Sequence, residues 1–397
     1  MNPTILAKKI LRNRCLCNHC LGRQFGQLLT GTSNKERGKS IRNVLALEYE
    51  SKPFVINKNN FYEHKFRTIK IKMKKEKCVV CEGLFDDLGK IADRVIKKLE
   101  KYDYNTFVIG SRLDHLIENE EKLWSKIGVE FCESIRAGFN RDLGKKIWEK
   151  TGKEGTDNAP NVTVLVDVDD NKISARINSV YFYGEYKKLV RGLPQTKWER
   201  YKETVEDIIA KPFMKSTEGT AHSLHAAGRE DIDAKCLAWR PFVLEIEKPV
   251  RRDVDFKAMT AAIKKTTKVS VNNMRLSDRR EVVKVKSLRH DKTYRALVEL
   301  EYPVKDIKSL KKLIGVIKQE TPLRVKHRRA DKTRNRKVKS IEWKKINNKK
   351  LELKIKGEAG LYIKELVSGD NGRTKPSVSQ ILKTKAKVKE LDVILIE

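Results

Sequence analysis

The chain has 397 residues, 39% hydrophobic and 35% charged, enough for two or three domains whose cores lie under a heavily charged surface. Its 87 Lys and Arg against 53 Asp and Glu give a formal net charge of +34, which points to a polyanionic partner, nucleic acid before any other. No long uninterrupted apolar run is present, so no transmembrane helix and no membrane partner are expected.

The basic residues are spread along the chain rather than gathered in one tail. That favours a folded surface tracking RNA over a disordered arm. A thermophilic lysine bias would raise glutamate as well, and the sign imbalance argues against it. The first residues alternate apolar positions with Lys8, Lys9, Arg12 and Arg14 and lack the apolar stretch of a signal peptide. A cytoplasmic protein is expected.

Residues 4–11 read as a short amphipathic helix. Cys17-x-x-Cys20 follows, and Cys78-x-x-Cys81 lies far downstream. Two such pairs in a reducing compartment point to a four-thiolate zinc site, each short turn offering two sulfurs to one tetrahedral ion. Cys15 and His19 stand as alternative ligands, while Cys132 and Cys236 read as core residues. Residues 36–50 have a helical pattern, and 51–75 are polar and basic, a loop or weak hairpin. Leu84, Leu88, Ile91, Val95 and Leu99 recur at helical spacing. A strand is predicted at 105–110 and a helix at 131–151, ending near Gly152. Two more strands at 162–168 and 172–180 flank a turn at Asp169-Asp170-Asn171.

Between 181 and 198, Tyr181, Phe182, Tyr183, Tyr186 and Trp198 alternate with Lys187, Lys188, Arg191 and Lys197. Such interleaving suits base stacking and phosphate contact, in a stretch expected to join two halves of the chain. Then comes Gly228-Arg229-Glu230-Asp231-Ile232-Asp233, followed by the alternating Phe242, Leu244 and Ile246. It reads as a glycine-entered loop feeding a half-buried strand, which would hold carboxylates in fixed positions. Residues 256–266 are a predicted helix, and 268–276, 281–286 and 293–301 predicted strands. Residues 304–318 read as a basic helix with Ile307, Leu310, Leu313, Ile314 and Ile317 inward. The dense cations of 321–336 suggest phosphate contact. Strands are predicted at 338–345, 351–356 and 388–396.

Competing chemistries find no support. Gly26 and Gly31 have phosphate-loop spacing, but Thr32 and Ser33 stand where a lysine and then Ser or Thr are required. No Gly-x-Gly-x-x-Gly follows a strand, which disfavours a Rossmann methyltransferase. The cysteine pairs lack the His-x-Glu of zinc deaminases.

Gly228-Arg229-Glu230-Asp231 with Asp233 resembles the signature loop of pseudouridine synthases, most closely the tRNA pseudouridine 54/55 synthase family of archaea and eukaryotes. Three further stretches match that family: 191–198 (Arg-Gly-Leu-Pro-Gln-Thr-Lys-Trp), 292–298 (Lys-Thr-Tyr-Arg-Ala-Leu-Val), and 360–370 (Gly-Leu-Tyr-Ile-Lys-Glu-Leu-Val-Ser-Gly-Asp). The resemblance covers nearly the whole chain and is strongest from Tyr181 onward.

The resemblance implies an α/β (α+β) protein. Residues 1–182 would be an accessory RNA-binding region with Cys17, Cys20, Cys78 and Cys81 as structural zinc ligands and a THUMP-like part from about residue 50. Residues 183–397 would be a catalytic domain with a mixed, mostly antiparallel central sheet. The implied reaction turns uridine into pseudouridine at positions 54 and 55 of the tRNA T arm, after the base has been flipped out, while the accessory region holds the acceptor end. It needs no organic cofactor. Asp231 would be the catalytic nucleophile, with Asp233 its competitor for that role. Tyr294 would lie against the uracil and Lys364 would pair with the aspartate. Tyr362 and Arg229 would contact the substrate, and Leu366 would pack beneath the site. A monomer is expected. The rival expectation is a non-catalytic zinc-containing RNA-binding or ribosome-assembly factor, which would have no use for Asp231, Tyr294 and Lys364 together.

Overall fold

Residues 2–328 and 330–397 are described by a computed structural model, Arg328 by its backbone alone. They fall into two units, Met1–Asn178 and Ser179–Glu397. Arg329 and the Arg328 side chain, both in the predicted phosphate-contact run, lie outside the described residues.

The first unit begins with helix α1 (Pro3–Leu11), α2 (Asn18–Arg23) and α3 (Asn34–Ser51). Ser33 and Glu36 form a reciprocal capping box that fixes the start of α3. α2 and α3 approach so closely that a Cβ on Gly22 would lie 1.9 Å from the Asn34 carbonyl oxygen, so only glycine fits there. Residues 51–75 hold a single 3-10 turn, Lys58–Phe61, rather than a hairpin. The predicted amphipathic helix is α4 (Leu88–Leu99), entered through a 3-10 turn, with Leu88, Ile91, Val95 and Leu99 buried. Then follow β1 (Thr106–Arg112), α5 (Asp114–Ile127), α6 (Ile135–Thr151), β2 (Glu154–Gly155), β3 (Val162–Asp167) and β4 (Lys172–Ile177). The sheet runs β2-β1-β3-β4, parallel at its first two pairings and antiparallel at the last. α5 escaped the sequence reading because only Leu116, Glu120 and Leu123 of its fourteen residues are buried, too short an apolar stripe to stand out.

The second unit is built on one mixed sheet. Its elements are β5 (Val180–Lys188), α7 (Val205–Thr217), β6 (Ala221–Ala226), β7 (Ala234–Glu247), α8 (Phe256–Lys264), β8 (Val269–Ser277), α9 (Arg279–Ser287) and β9 (Lys292–Leu300). There follow β10 (Gly315–Gln319), β11 (Arg334–Asn347), β12 (Lys350–Gly357), α10 (Ile363–Ser368), β13 (Thr374–Lys375), α11 (Val378–Leu382) and β14 (Ala386–Ile396). The order is β13-β10-β11-β12-β9-β14-β7-β5-β8, with β6 on β7. All neighbours are antiparallel except β14 and β7, which pair in parallel from Leu391 opposite Ala234 to Val393 opposite Cys236. The sheet is mixed and mostly antiparallel, as expected.

Four predicted stretches differ. Residues 281–286 form helix α9, not a strand: Asp278 caps it, and the buried Val282 and Val285 lie three apart while Val283 is exposed. Residues 304–318 are not a helix. A 3-10 turn, Lys308–Leu313, buries Leu310 and Leu313, Gly315 at φ 129° turns the chain, and β10 follows. The strand holding Phe242, Leu244 and Ile246 is buried on both faces: these residues pack with α7, and Val243 packs with Val282 and Val285 of α9. Residues 181–188 are not a joining segment but the inner strand β5, where Phe182, Tyr186 and Lys188 are fully buried.

Candidate active site

β6 and β7 are joined by residues 227–233, so the loop opens onto the middle of the sheet. There β14 separates the start of β7 from β9, with Leu391 opposite both Ala234 and Ala296. Gly228 enters the loop at φ 82°, a backbone that side chains disfavour.

A buried polar cage grips this loop from below. Glu230 points inward with its side chain fully buried. It pairs with Arg240 at 3.1 Å and accepts from the Tyr186 hydroxyl at 3.0 Å. The Lys188 ammonium lies 3.8 Å from Glu230 and donates to the carbonyls of Leu193, Asp231 and Ile232 at 2.9, 2.9 and 3.2 Å. Gln195 donates to Tyr186 Oη and to the Gly228 carbonyl at 2.7 and 3.0 Å, and Arg240 donates to the Ala227 carbonyl at 2.8 Å. At the far end Arg191 donates to the carbonyls of Asp233 and Leu391 and pairs with the buried Asp392. The carbonyls of Ala227, Gly228, Asp231, Ile232 and Asp233 are thereby held, which stiffens a segment that would otherwise be mobile. Burial raises the Tyr186 phenol, and Glu230 adds to that, so it stays a neutral donor.

Asp231 faces the other way. Its Oδ1 accepts from Arg324 Nη1 at 3.0 Å, and its Oδ2 lies 3.3 Å from Lys364 Nζ. Burial works to raise this carboxyl, but Arg324 and Lys364 outweigh it and hold it below the ordinary 3.8. The group is therefore a carboxylate at neutral pH. Lys364 is shared: it also donates to both oxygens of Asp233 at 2.7 Å. Asp233 is 67% exposed and pairs with no second cation among the described residues, so of the two aspartates Asp231 is the more enclosed. Arg324 bridges Asp231 and the buried Glu365, to which its Nε donates at 2.7 Å. Burial would lower the Arg324 guanidinium, and Glu365 and Asp231 more than reverse that.

Tyr294 sits on β9, two strands from the loop and opposite Val393 of β14. Ala296, Val298 and Leu300, on its own parity, are buried, as the alternation predicted. Burial pushes its phenol up to about 12 against the pull of Arg240, with Cys236 and Asp231 also contributing. Lys364 lies in the first turn of α10 and Tyr362 just before it. The fully buried Gln319 of β10 donates to the Tyr362 carbonyl and accepts from its amide, both at 2.9 Å, and so sets where α10 starts. Leu366 is buried with Ala234, Leu361 and Leu391. Arg229 is exposed on the loop and forms no ion pair among the described residues.

Sequence reasoning named Asp231, Lys364 and Tyr294 but missed the groups that hold them. Lys188 and Tyr186 lay among residues assigned to RNA contact, and Arg324 in a run assigned to phosphate contact. Their only advance signal was the odd presence of Lys188 among apolar strand positions. What the arrangement supplies is an ionised carboxylate on a rigid loop, two cations to orient it, and an aromatic residue two strands away on β9.

In the first unit, the Sγ atoms of Cys17, Cys20, Cys78 and Cys81 lie within 4.8 Å of one another. Cys17 and Cys81 Sγ are 3.6 Å apart, close to the ~3.8 Å edge of a tetrahedron with ~2.3 Å metal–sulfur bonds. The four thiols thus fit a tetrahedral soft metal with no open position. Arg23, fully buried and paired with Glu120, donates to Cys20 Sγ at 3.6 Å, a hydrogen bond that would orient a thiolate. Neither alternative ligand joins the cluster. His19 stacks on Phe85 with its Nδ1 3.4 Å from Asp142, and Cys15 is buried outside the group.

Residues 181–397 match the family model "Pus10, C-terminal", and residues 91–167 match "Pus10 THUMP domain, archaeal". The chain is 40% identical over 396 residues to the tRNA pseudouridine synthase Pus10 of Pyrococcus furiosus, covering 98% of this chain and 96% of that one. It is 38% identical to the protein of the same name from Methanocaldococcus jannaschii, covering 100% and 95%. The match from Methanothrix thermoacetophila is 37% identical and covers 98% and 93%. With a family model spanning more than half its length and relatives aligned almost end to end, the chain belongs to the Pus10 family.

Proposed function

We propose that this protein is a tRNA pseudouridine synthase acting on the T arm, at positions 54 and 55, with Asp231 as its nucleophile. The observation that carries the reading is the ionised Asp231, caged from below and paired with Arg324 and Lys364. A binding factor has no need of a carboxylate held so firmly among cations, and the rival reading falls away.

The reaction breaks the N1–C1′ bond, turns the detached uracil, joins C5 to C1′ and releases the C5 proton. Asp231 would attack C1′, or C6 of the ring, or take a proton at the 2′ position; each route needs it ionised. Lys364 and Arg324 keep it so and fix its direction. Tyr294 offers the uracil a plane during detachment and rotation. Tyr362 and the exposed Arg229 would contact the substrate, and Leu366 would pack beneath the site. The target uridine lies in a folded loop and would be extruded to reach the carboxylate.

The first unit would form the accessory region that holds the acceptor end of the tRNA. Cys17, Cys20, Cys78 and Cys81 would bind zinc, a cross-link between distant segments that supplies folding energy and no chemistry. Among the described residues no helix is long and apolar enough to cross a membrane. A cytoplasmic monomer without an organic cofactor completes the reading.

The test is tritium release from unmodified tRNA carrying [5-³H]uridine, with wild type beside Asp231→Asn. Wild type should release tritium, and the variant should bind tRNA normally and release none. Equal release by both would move the nucleophile elsewhere, to Asp233 first.

A further inference from the structure

Lys292 opens β9, two residues before Tyr294 and therefore on the same face of the sheet. Its side chain is half-buried, and among the described residues its ammonium has no hydrogen-bond or ion-pair partner. A half-buried cation without a partner is costly, and one beside a reaction centre calls for an explanation.

The position of the ammonium supplies one. Gly228 has no side chain, and a Cβ built there would lie 3.2 Å from Arg240 Nη1 and 3.5 Å from Lys292 Nζ. Two cationic nitrogens thus flank the bare face of the glycine that starts the Asp231 loop. Arg240 is committed, to Glu230 and to the Ala227 carbonyl; Lys292 is not. Gly228 is three residues from Asp231, a span of at most ~10 Å. A nucleotide whose C1′ sits at Asp231 has its own backbone within that reach.

We propose that Lys292, with the open face of Gly228, forms a subsite for the RNA backbone phosphate beside the flipped uridine. The inference rests on the synthase reading and adds a substrate-positioning residue to it. Glycine is required at 228 both for its backbone and because a methyl there would fill the space an anionic oxygen takes. Desolvation, aided by Arg240, lowers the Lys292 ammonium to about 8. The other charged or titratable groups facing it are Cys236, Arg289 and Asp291, and Asp291 is paired with Lys339. On the adjoining strands, Glu397 is paired with Lys356. Charge on Lys292 is present below that value and lost as pH rises through it, and phosphate binding follows the charge.

The experiment compares full-length wild type, Lys292→Met and Lys292→Arg by steady-state tritium release from tRNA at several salt concentrations, at pH 7 and pH 9. Lys292→Met should raise KM about tenfold with kcat within a factor of two. Its KM should also depend less steeply on salt, by about 0.7–0.9 in log–log slope, the share of one phosphate contact. At pH 9 the wild type should approach the Met variant, while Lys292→Arg, charged at both pH values, should keep its low KM. A fall in kcat with an unchanged salt slope would place Lys292 on the reacting base and overturn the subsite. Equal KM for all three at both pH values would overturn it too, and the Arg variant gives that answer even if Lys292→Met fails to fold. No release by the wild type would instead overturn the synthase reading, and the subsite with it.

Discussion

Lys188→Met tests whether the buried cage, rather than the active-site cations alone, positions Asp231. Methionine keeps the length of the lysine stem and removes the charge. Three hydrogen bonds disappear. The Asp231 carbonyl keeps the Ala234 amide, and the Ile232 carbonyl keeps the Gly192 amide. The Leu193 carbonyl loses the ammonium, its only side-chain donor among the described residues, at a cost of about 1–3 kcal/mol. Glu230 loses one of two cations but keeps Arg240 and the Tyr186 hydroxyl. The penalty for stranding a buried charge, about 3–5 kcal/mol, is therefore felt only in part. A net loss of roughly 3 kcal/mol lowers Tm by about 6–12 °C in a unit of this size. The same change frees the loop, and a shift of about 1 Å in a reacting group costs about a hundredfold in rate. Lys188 is fully buried beneath the loop, out of reach of a docked RNA, so KM for tRNA should hold. Thermal melting by circular dichroism and single-turnover tritium release measure the two effects. A lower Tm with wild-type kcat would show that the loop keeps its shape without Lys188, and the positioning argument would be wrong.

Two further perturbations address the carboxylate and the thiols. Asp231 is held below 3.8 because Arg324 and Lys364 outweigh its burial; a group with a depressed value stays ionised until pH falls below it. Wild-type kcat should thus show no acid limb between about pH 7 and pH 5, and Lys364→Met should move that limb upward. A wild-type limb near pH 6 would point to a different essential group. Metal analysis should find one zinc per chain, and Cys17→Ser should lower the first melting transition while leaving kcat of the folded protein unchanged. A zinc-free wild-type protein with an unaltered melt in Cys17→Ser would refute the metal site.

Much of this was legible in the sequence because it depends on local pattern. The helix over Leu88–Leu99 follows from apolar spacing, and the buried parity of Ala296, Val298 and Leu300 from strand alternation. The four thiols now found together were expected from their paired spacing, and Asp231 and Lys364 from motif likeness. What failed locally failed for local ambiguity. Valines at 282, 283 and 285 alternate as well as they wind, and only the cap at Asp278 and the packing of Val282 and Val285 chose a helix.

The cage around the loop belongs to tertiary structure alone. Lys188, Gln195, Glu230 and Arg240 are polar residues that composition assigns to the surface, yet folding buries them together and pairs their charges. Arg324, 93 residues from Asp231 in sequence, is set against it by a turn that no periodicity announces. Pattern reports which face of an element is apolar; it carries no information on which distant charge will neutralise a buried one, because that choice is made only when the strands close into a sheet.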